Sequence, residues 1–430
     1  MTAEVAVMNR DGIALAADSA ATVFINSVPK ITSANKLFSL SSKFPVGIMI
    51  YGNSSFMDLP WETIIKVYRD TKLPAEGFDT LNEYALHFLK SLSYRNIPIA
   101  GYAQATYIQY FSVTILIKIR ERVESYWQEL GGDDSPKKLP EIANEVVEGF
   151  IEFALTNPKN FVPIEVSNHL ITKYQENIKE AIPSIFKGID IKQETESLIF
   201  HAIEIALSKL FPSEVGSGIV FAGFGKKDFL PKIRSYIVEG LIQHQKSGRN
   251  IELLKYMFDE ATSFDDEIEA GIIPFAQTDM VHRFMRGVDP YYVDASDQFL
   301  EELCDDFTKK IVSQLKRFPK TEKEAIQKKL EKYNQRLIKE FSENMAEFTK
   351  QYFSEPTVEA ISRLPKNELA SLAEAMVYVT SLKRKVSDDP ETVAEPIDVA
   401  VISKGDGFIW VKRKHYFKAD LNPQFFIKYR

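Results

Sequence analysis

Two regimes of apolar spacing alternate along this chain. Short apolar runs bounded by Gly, Asp and Asn fill the first fifty residues and return near residues 218–240 and 397–411, and three- and four-residue spacing fills the stretches between them. The first run, Glu4-Val5-Ala6-Val7-Met8, is separated from Ile13-Ala14-Leu15-Ala16-Ala17 by Asn9-Arg10-Asp11-Gly12. Two strand-like runs about an Asp-Gly turn predict a hairpin. The second run ends in Asp18-Ser19-Ala20-Ala21-Thr22, which returns a carboxylate to the beginning of the first strand. Ser33-Ala34-Asn35-Lys36-Leu37-Phe38 opens a further strand, and Pro45 to Gly52 closes the region on a glycine, where backbone can approach a ligand closely.

Beyond Gly52 the period changes. Ser54 is expected to cap a helix running through Phe56-Met57, Trp61, Ile64-Ile65 and Tyr68, and a second helix is expected from Thr80 to Leu92. From about Ala103 to Phe211 the pattern is helical, with Tyr107, Tyr110-Phe111, Ile115, Ile117 and Val123 in one apolar stretch. Strand character returns at Gly218 to Gly225 and at Ser235 to Gly240. Gly223-Phe224-Gly225 lacks the Lys-Ser/Thr sequel of a phosphate loop. Gln298 to Phe353 reads as charged helix, in which Leu300, Leu303, Phe307, Ile311 and Leu315 predict one face packed on a neighbouring helix or another subunit. A helix over Ala370–Leu382, a loop through Thr392 and Pro396, and strands at Ile397–Ile402 and Phe408–Val411 close the chain.

Candidate chemistry concentrates at the beginning. Thr2 follows Met1 and is small enough for the methionine to be removed, which leaves a threonine with a hydroxyl and a free α-amine. An α-amine titrates at about 7.7–8.0, so near neutral pH it can take the hydroxyl proton, directly or through a water. Other nucleophile and metal patterns are missing. No G-x-S-x-G elbow occurs, and the six histidines, His87, His169, His201, His244, His282 and His415, show no metal-ligand spacing.

The threonine start, Asp11-Gly12, "AADSAAT", "NKLF" and the "GIMIYGN" strand, in that order, resemble the beginning of proteasome β-subunits and their bacterial relatives, the N-terminal-nucleophile (Ntn) hydrolases. The resemblance covers about the first seventy residues, with two later strand pairs matching less closely. It implies Thr2 as nucleophile, Asp18 and Lys36 as the charged pair beside it, and the backbone N–H groups of Tyr51 and Gly52 as oxyanion donors. It also suggests Thr278, in Ala276-Gln277-Thr278-Asp279, as a supporting hydroxyl, against the alternative that Thr278 caps the following helix. Thr392 could stand for the family's supporting serine, with Asp388 and Asp389 nearby. Two departures are evident: the family's basic residue in the "ADSRAT" segment is Ala20 here, and its usual glycine is Tyr51.

Composition narrows the class. With 430 residues, 45% of them hydrophobic, the chain can bury a large core. A net charge of -7 argues against nucleic acid as partner. A single cysteine, Cys304, excludes an internal disulfide and reads as a small buried apolar residue. Neither a signal-peptide pattern nor an apolar run of transmembrane length occurs, so a soluble cytoplasmic protein without a membrane partner is expected.

The expected fold is α+β, a four-layer αββα Ntn-hydrolase sandwich with helical insertions. Its expected parts are 2–95 as the first part of the core, 96–215 as a helical insertion, 216–290 as the second part of the core, 291–365 as another insertion, and 366–430 as the closing helix and hairpin. The expected function is a proteasome-like threonine protease without cofactor or metal, cleaving amide and in particular peptide bonds as a homo-oligomer. Whether an unfoldase feeds it is left open by the sequence. A small-molecule amidase of the same fold, or a non-catalytic assembly subunit that retains Met1, are the alternatives.

Overall fold

A computed structural model of the chain describes residues 3–423 apart from 26–27, 42, 133–136, 158–159, 210, 212, 214–215, 247–248, 264–269, 388–395 and 416. Strands come first: β1 (Ala3–Asn9), β2 (Gly12–Ala17), β3 (Ala20–Ile25), β4 (Val28–Ser33), β5 (Leu37–Ser39), β6 (Val46–Gly52) and the short pair β7 (Ser55–Phe56) and β8 (Leu59–Pro60). Helices α1 (Trp61–Thr71), α2 (Leu81–Ser91), α3 (Ala103–Glu129), α4 (Leu139–Leu155), α5 (Ile164–Lys173), α6 (Gln175–Ile185) and α7 (Gln193–Ser208) follow. After them come β9 (Ser217–Gly223), β10 (Lys232–Lys246), β11 (Arg249–Ser263) and β12 (Gly271–Ala276). The chain continues through α8 (Asp279–Arg286), α9 (Pro290–Gln314), α10 (Lys320–Thr349), α11 (Glu355–Ser362), α12 (Lys366–Lys385), β13 (Asp398–Ser403) and β14 (Gly407–Lys412). Among the described residues the protein is mixed α and β with two five-stranded and two two-stranded sheets, and every strand pair with a defined register is antiparallel.

Two compact units divide the chain: residues 1–31, 264–401 and 409–423 form one, and 32–263, 402–408 and 424–430 the other. In the first, the sheet order is β12-β1-β2-β13-β14. The β1–β2 register pairs Asn9 with Gly12, so Arg10-Asp11 is a two-residue hairpin loop. Asn9 ties this loop down: its side chain donates to the carbonyls of Ile361 (3.1 Å) and Leu364 (2.8 Å) and accepts from the Asp11 N–H (3.0 Å). Helix α12 lays Leu369, Ala370, Ala373 and Val377 against Val5, Val7, Ala14 and Ala16. A strand period of two thus meets a helix period of 3.6 to make one apolar layer.

The second unit's sheet runs β11-β10-β9-β6-β5. Helix α2 packs on β9 and β10 through a core that includes Tyr84, Phe88 and Phe221. Its start is fixed by a capping box in which the Thr80 hydroxyl accepts from the Glu83 N–H and Glu83 accepts from the Thr80 N–H. Helix α3 joins β10 through the Gln243 N–H, which donates to Gln104 Oε1 (2.6 Å), and packs with α4 and α7 through Phe111, Ile115, Ile142, Val147 and Ile199.

Several local expectations are corrected. Ser54 does not cap a helix. Met57 and Asp58 adopt left-handed backbone (φ 50° and 64°) in the tight β7–β8 turn, and α1 begins only after Pro60, whose ring disfavours helix in the residue before it. The strand read as opening at Ser33 begins at Leu37, while 20–33 hold the unforeseen β3–β4 pair. The strand at Ser235–Gly240 is part of the fifteen-residue β10, paired along its length with the unforeseen β11. Cys304 is half-buried rather than buried. Among the described residues no helix is long and apolar enough to cross a membrane.

Candidate functional site

Thr2 and Thr392, with Asp388 and Asp389, lie outside the described residues. Ala3 follows Thr2 directly, and its surroundings are defined. Asp18, at the end of β2, is buried, and it grips Ala3 twice: carboxylate Oδ1 accepts from the Ala3 N–H (3.0 Å), and the Asp18 N–H donates to the Ala3 carbonyl (3.1 Å). Its second oxygen accepts from the Ala20 N–H (2.9 Å). The hairpin brings this about, because the Glu4–Ala17 register puts residues 3 and 18 side by side. A carboxylate holding two backbone donors is fixed in position.

Around it lies a polar network that sequence reasoning missed. The Ser19 hydroxyl donates to the Pro396 carbonyl and accepts from Lys414 Nζ (2.6 Å), which also lies 3.4 Å from Asp398 Oδ2. Asp398 Oδ1 accepts from the Lys414 N–H (2.7 Å), and Asp398 is buried at the first position of β13. The signal was an acid opening an otherwise apolar strand, but its partner lies sixteen residues on, across the β13–β14 hairpin.

On the other side of β1, Ala3 pairs with Ala276 of β12, a residue with left-handed backbone (φ 66°). Thr278, two residues later, sits at the N-cap position of α8, but its hydroxyl makes no cap hydrogen bond. Its neighbour Gln277 is buried and accepts from Arg384, whose guanidinium lies 3.9 Å from Asp279.

In the second unit the structure brings Lys36, Tyr51 and Gly52 to one end of β6. Lys36 is buried, and its carbonyl accepts from the Ile50 N–H (2.9 Å), one residue before Tyr51. The preceding Asn35 donates to both carboxylate oxygens of Glu62 (3.1 Å each), anchoring the loop to α1. Gly52 has φ 77°, and a Cβ there would stand 2.9 Å from the Gly216 carbonyl oxygen, so both conformation and space require glycine. The ring of Tyr51 lies across Gly218, where a Cβ would come within 2.0 Å of it, and its hydroxyl reaches within 3.5 Å of Ser235 Oγ. Tyr51 thus occupies space that a missing side chain on the neighbouring strand leaves open. Among the described residues no group of three or more His, Cys, Asp or Glu side chains is placed to hold a metal ion.

No protein-family model matches the chain. No curated protein matches it either. Among solved structures it is similar to a Gly-1 mutant of Anbu from Hyphomicrobium sp. strain MC1, with 11% identity over 100% of this chain and 99% of that one and a TM-score of 0.28. A likeness that distant carries no weight for fold or function.

Proposed function

We propose that this protein is an N-terminal threonine hydrolase of amide bonds, acting on peptides, with its sheets and helices arranged as an Ntn-type αββα sandwich. The observation that carries this reading is the double grip of Asp18 on Ala3, which fixes the backbone one bond away from Thr2. Removal of Met1 frees the α-amine. Thr2 Oγ then attacks the amide carbon while the amine takes the hydroxyl proton, and the oxyanion is received by the Tyr51 and Gly52 N–H groups. Collapse breaks the C–N bond, the amine returns the proton to the leaving nitrogen, and an ester on Thr2 remains. A water, deprotonated by the same amine, hydrolyses that ester and restores the hydroxyl. Lys36 is the cation that lowers the proton affinity of the threonine oxygen.

The test joins mass and rate. Intact-mass measurement before and after a threonine-directed epoxyketone should show loss of the methionine and one covalent adduct, absent in Thr2→Ala. Thr2→Ala and Lys36→Ala should each lower hydrolysis of a fluorogenic peptide by at least about a thousandfold, the scale of losing a nucleophile or its activator. Lys30→Ala, at a nearby lysine that does not follow an asparagine as Lys36 does in Asn35-Lys36, should leave the rate within about twofold. Retained Met1, or full activity in Thr2→Ala, overturns the mechanism.

A further inference from the structure

Helices α9 and α10 form an antiparallel hairpin with almost no interior of its own. Among its described residues only Thr308 is buried. The two helices meet where Asn334 of α10 faces Cys304 and Thr308 of α9 and Ser342 faces Asp297, and the half-buried Leu300 and Ile338 lie one turn along from Cys304 and Asn334 on the same stripes. Asn334 donates to the Cys304 carbonyl (3.1 Å) and Thr308 Oγ1 (2.8 Å), and Ser342 donates to Asp297 (3.0 Å). Their large apolar residues lie elsewhere. Phe299 (66% exposed), Leu303 (55%), Phe307 (64%), Tyr333 (64%) and Leu337 (41%) each stand one residue before a position of that seam.

One residue is a turn of about 100° on a helix, so both stripes are rotated off the seam by the same step in the same sense. Antiparallel helices are exchanged by a twofold axis normal to their broad face, and such an axis keeps equal rotations on the same side. All five residues therefore share one broad face. With the three aromatic side chains at roughly 150–250 Å² each and the two leucines somewhat smaller, their exposed fractions leave roughly 500 Å² of apolar area open, at the upper end of the largest patch on a typical monomer.

The edges of that face carry opposite charge. Glu302 and Asp306 line the outer edge of α9, and Lys332 and Arg336 line that of α10, where the exposed Arg336 also pairs with Glu340 one turn on (2.8 Å). The seam contacts place Glu302 level with Arg336, and Asp306 level with Lys332.

We infer that this face docks a second copy of the chain, forming a twofold four-helix bundle in which α9 of each copy lies over α10 of the other. Two such faces bury about 1,000 Å² from these five residues alone, and the charged edges bring the total into the range of a stable interface, about 1,200–2,000 Å². Of the two twofold arrangements that stack the faces, one sets acidic edge on acidic edge. The other sets Glu302 and Asp306 beside the partner's Arg336 and Lys332, and charge selects it. The inference stands independently of the chemistry proposed at Thr2.

Sedimentation equilibrium of the full chain at micromolar concentration tests it. Wild type should be a dimer or a multiple of one, and Leu303→Glu with Phe307→Glu should weaken association at least about a hundredfold with the circular dichroism spectrum unchanged, since both sites are exposed. Glu302→Lys/Asp306→Lys and Lys332→Glu/Arg336→Glu should each weaken self-association, while an equimolar mixture of the two should associate as wild type does. A wild-type monomer, or an assembly insensitive to Leu303→Glu with Phe307→Glu, overturns the interface. A mixture no tighter than its components overturns the α9-over-α10 pairing.

Discussion

The Asp18 carboxylate holds two backbone N–H groups in a buried setting, and each would be left without an acceptor by truncation. An orphaned buried donor costs about 1–3 kcal/mol. Asp18→Ala should therefore lose about 2–4 kcal/mol in urea unfolding together with hydrolytic activity, whereas Asp18→Asn, which keeps one acceptor, should lose about half as much stability. Unchanged stability in Asp18→Ala would show that the grip on Ala3 does not hold the beginning of β1. This residue was legible in the sequence because hairpin register follows from a short turn: once Arg10-Asp11 is the loop, residue 18 must return beside residue 3. Asp398, Lys414 and Ser19 were not legible, because the chain between β2 and β13 fixes no separation that a periodicity could reveal.

The long antiparallel pair β10–β11 shows why part of the sheet escaped the sequence. Arg249–Ser263 mixes charged and apolar residues with no clean alternation, and Lys255 would ordinarily be assigned to a solvated face. Instead Lys255 is buried, with Nζ 4.2 Å from the centre of the Phe111 ring, and Glu239, at a bulge in β10, accepts from the N–H and hydroxyl of Ser213. The helix α2 and the closing β13–β14 hairpin, by contrast, were read from sequence, and the structure shows a local determinant at each, the Thr80–Glu83 capping box and the Gly405-Asp406-Gly407 turn. Burial holds the Lys255 ammonium down at about 8, partly offset by the charge of Glu239, whose own carboxyl burial pushes up. An unfolded lysine titrates at about 10.4, so between those values the unfolded chain binds the proton that the folded chain has released. Stability therefore rises with pH through this window, and the cost returns as pH falls through about 8. Tyr68 and Tyr107, both held protonated by burial, act in the opposite direction only above about pH 10, where unfolded tyrosines ionise. From pH 8 to 9.5 wild type should gain about 1–2 kcal/mol that Lys255→Met does not gain. Urea midpoints at the two pH values measure this, and parallel changes in both proteins would refute the burial of a titrating lysine.

At the scale of the whole molecule, the alternation of apolar regimes announced where sheet gives way to helix, but it did not separate a helix that feeds a core from one that presents a face. Leu300, Leu303, Phe307, Ile311 and Leu315 read as one stripe in sequence. In the structure Leu300, Ile311 and Leu315 are half-buried, while Leu303 and Phe307 are exposed. The difference is one step of about 100°, and periodicity over so short a stretch cannot resolve it. That step has a dynamic consequence. With no buried residue on α10 and only Thr308 on α9, the hairpin has little to hold it closed by itself, so its local opening should cost far less than opening β1, β2 or β9, whose residues are all buried. A partner that binds only the closed hairpin adds RT ln(1 + [L]/Kd), about 2.7 kcal/mol at a hundredfold excess over Kd, which slows amide exchange about a hundredfold. Hydrogen exchange followed across protein concentration should therefore show protection of residues 299–341 rising with concentration, while that of β1–β2 and β9–β10 stays constant, and Leu303→Glu with Phe307→Glu should abolish the rise. Protection of the hairpin that is the same at every concentration would mean that its apolar face meets no second copy in solution.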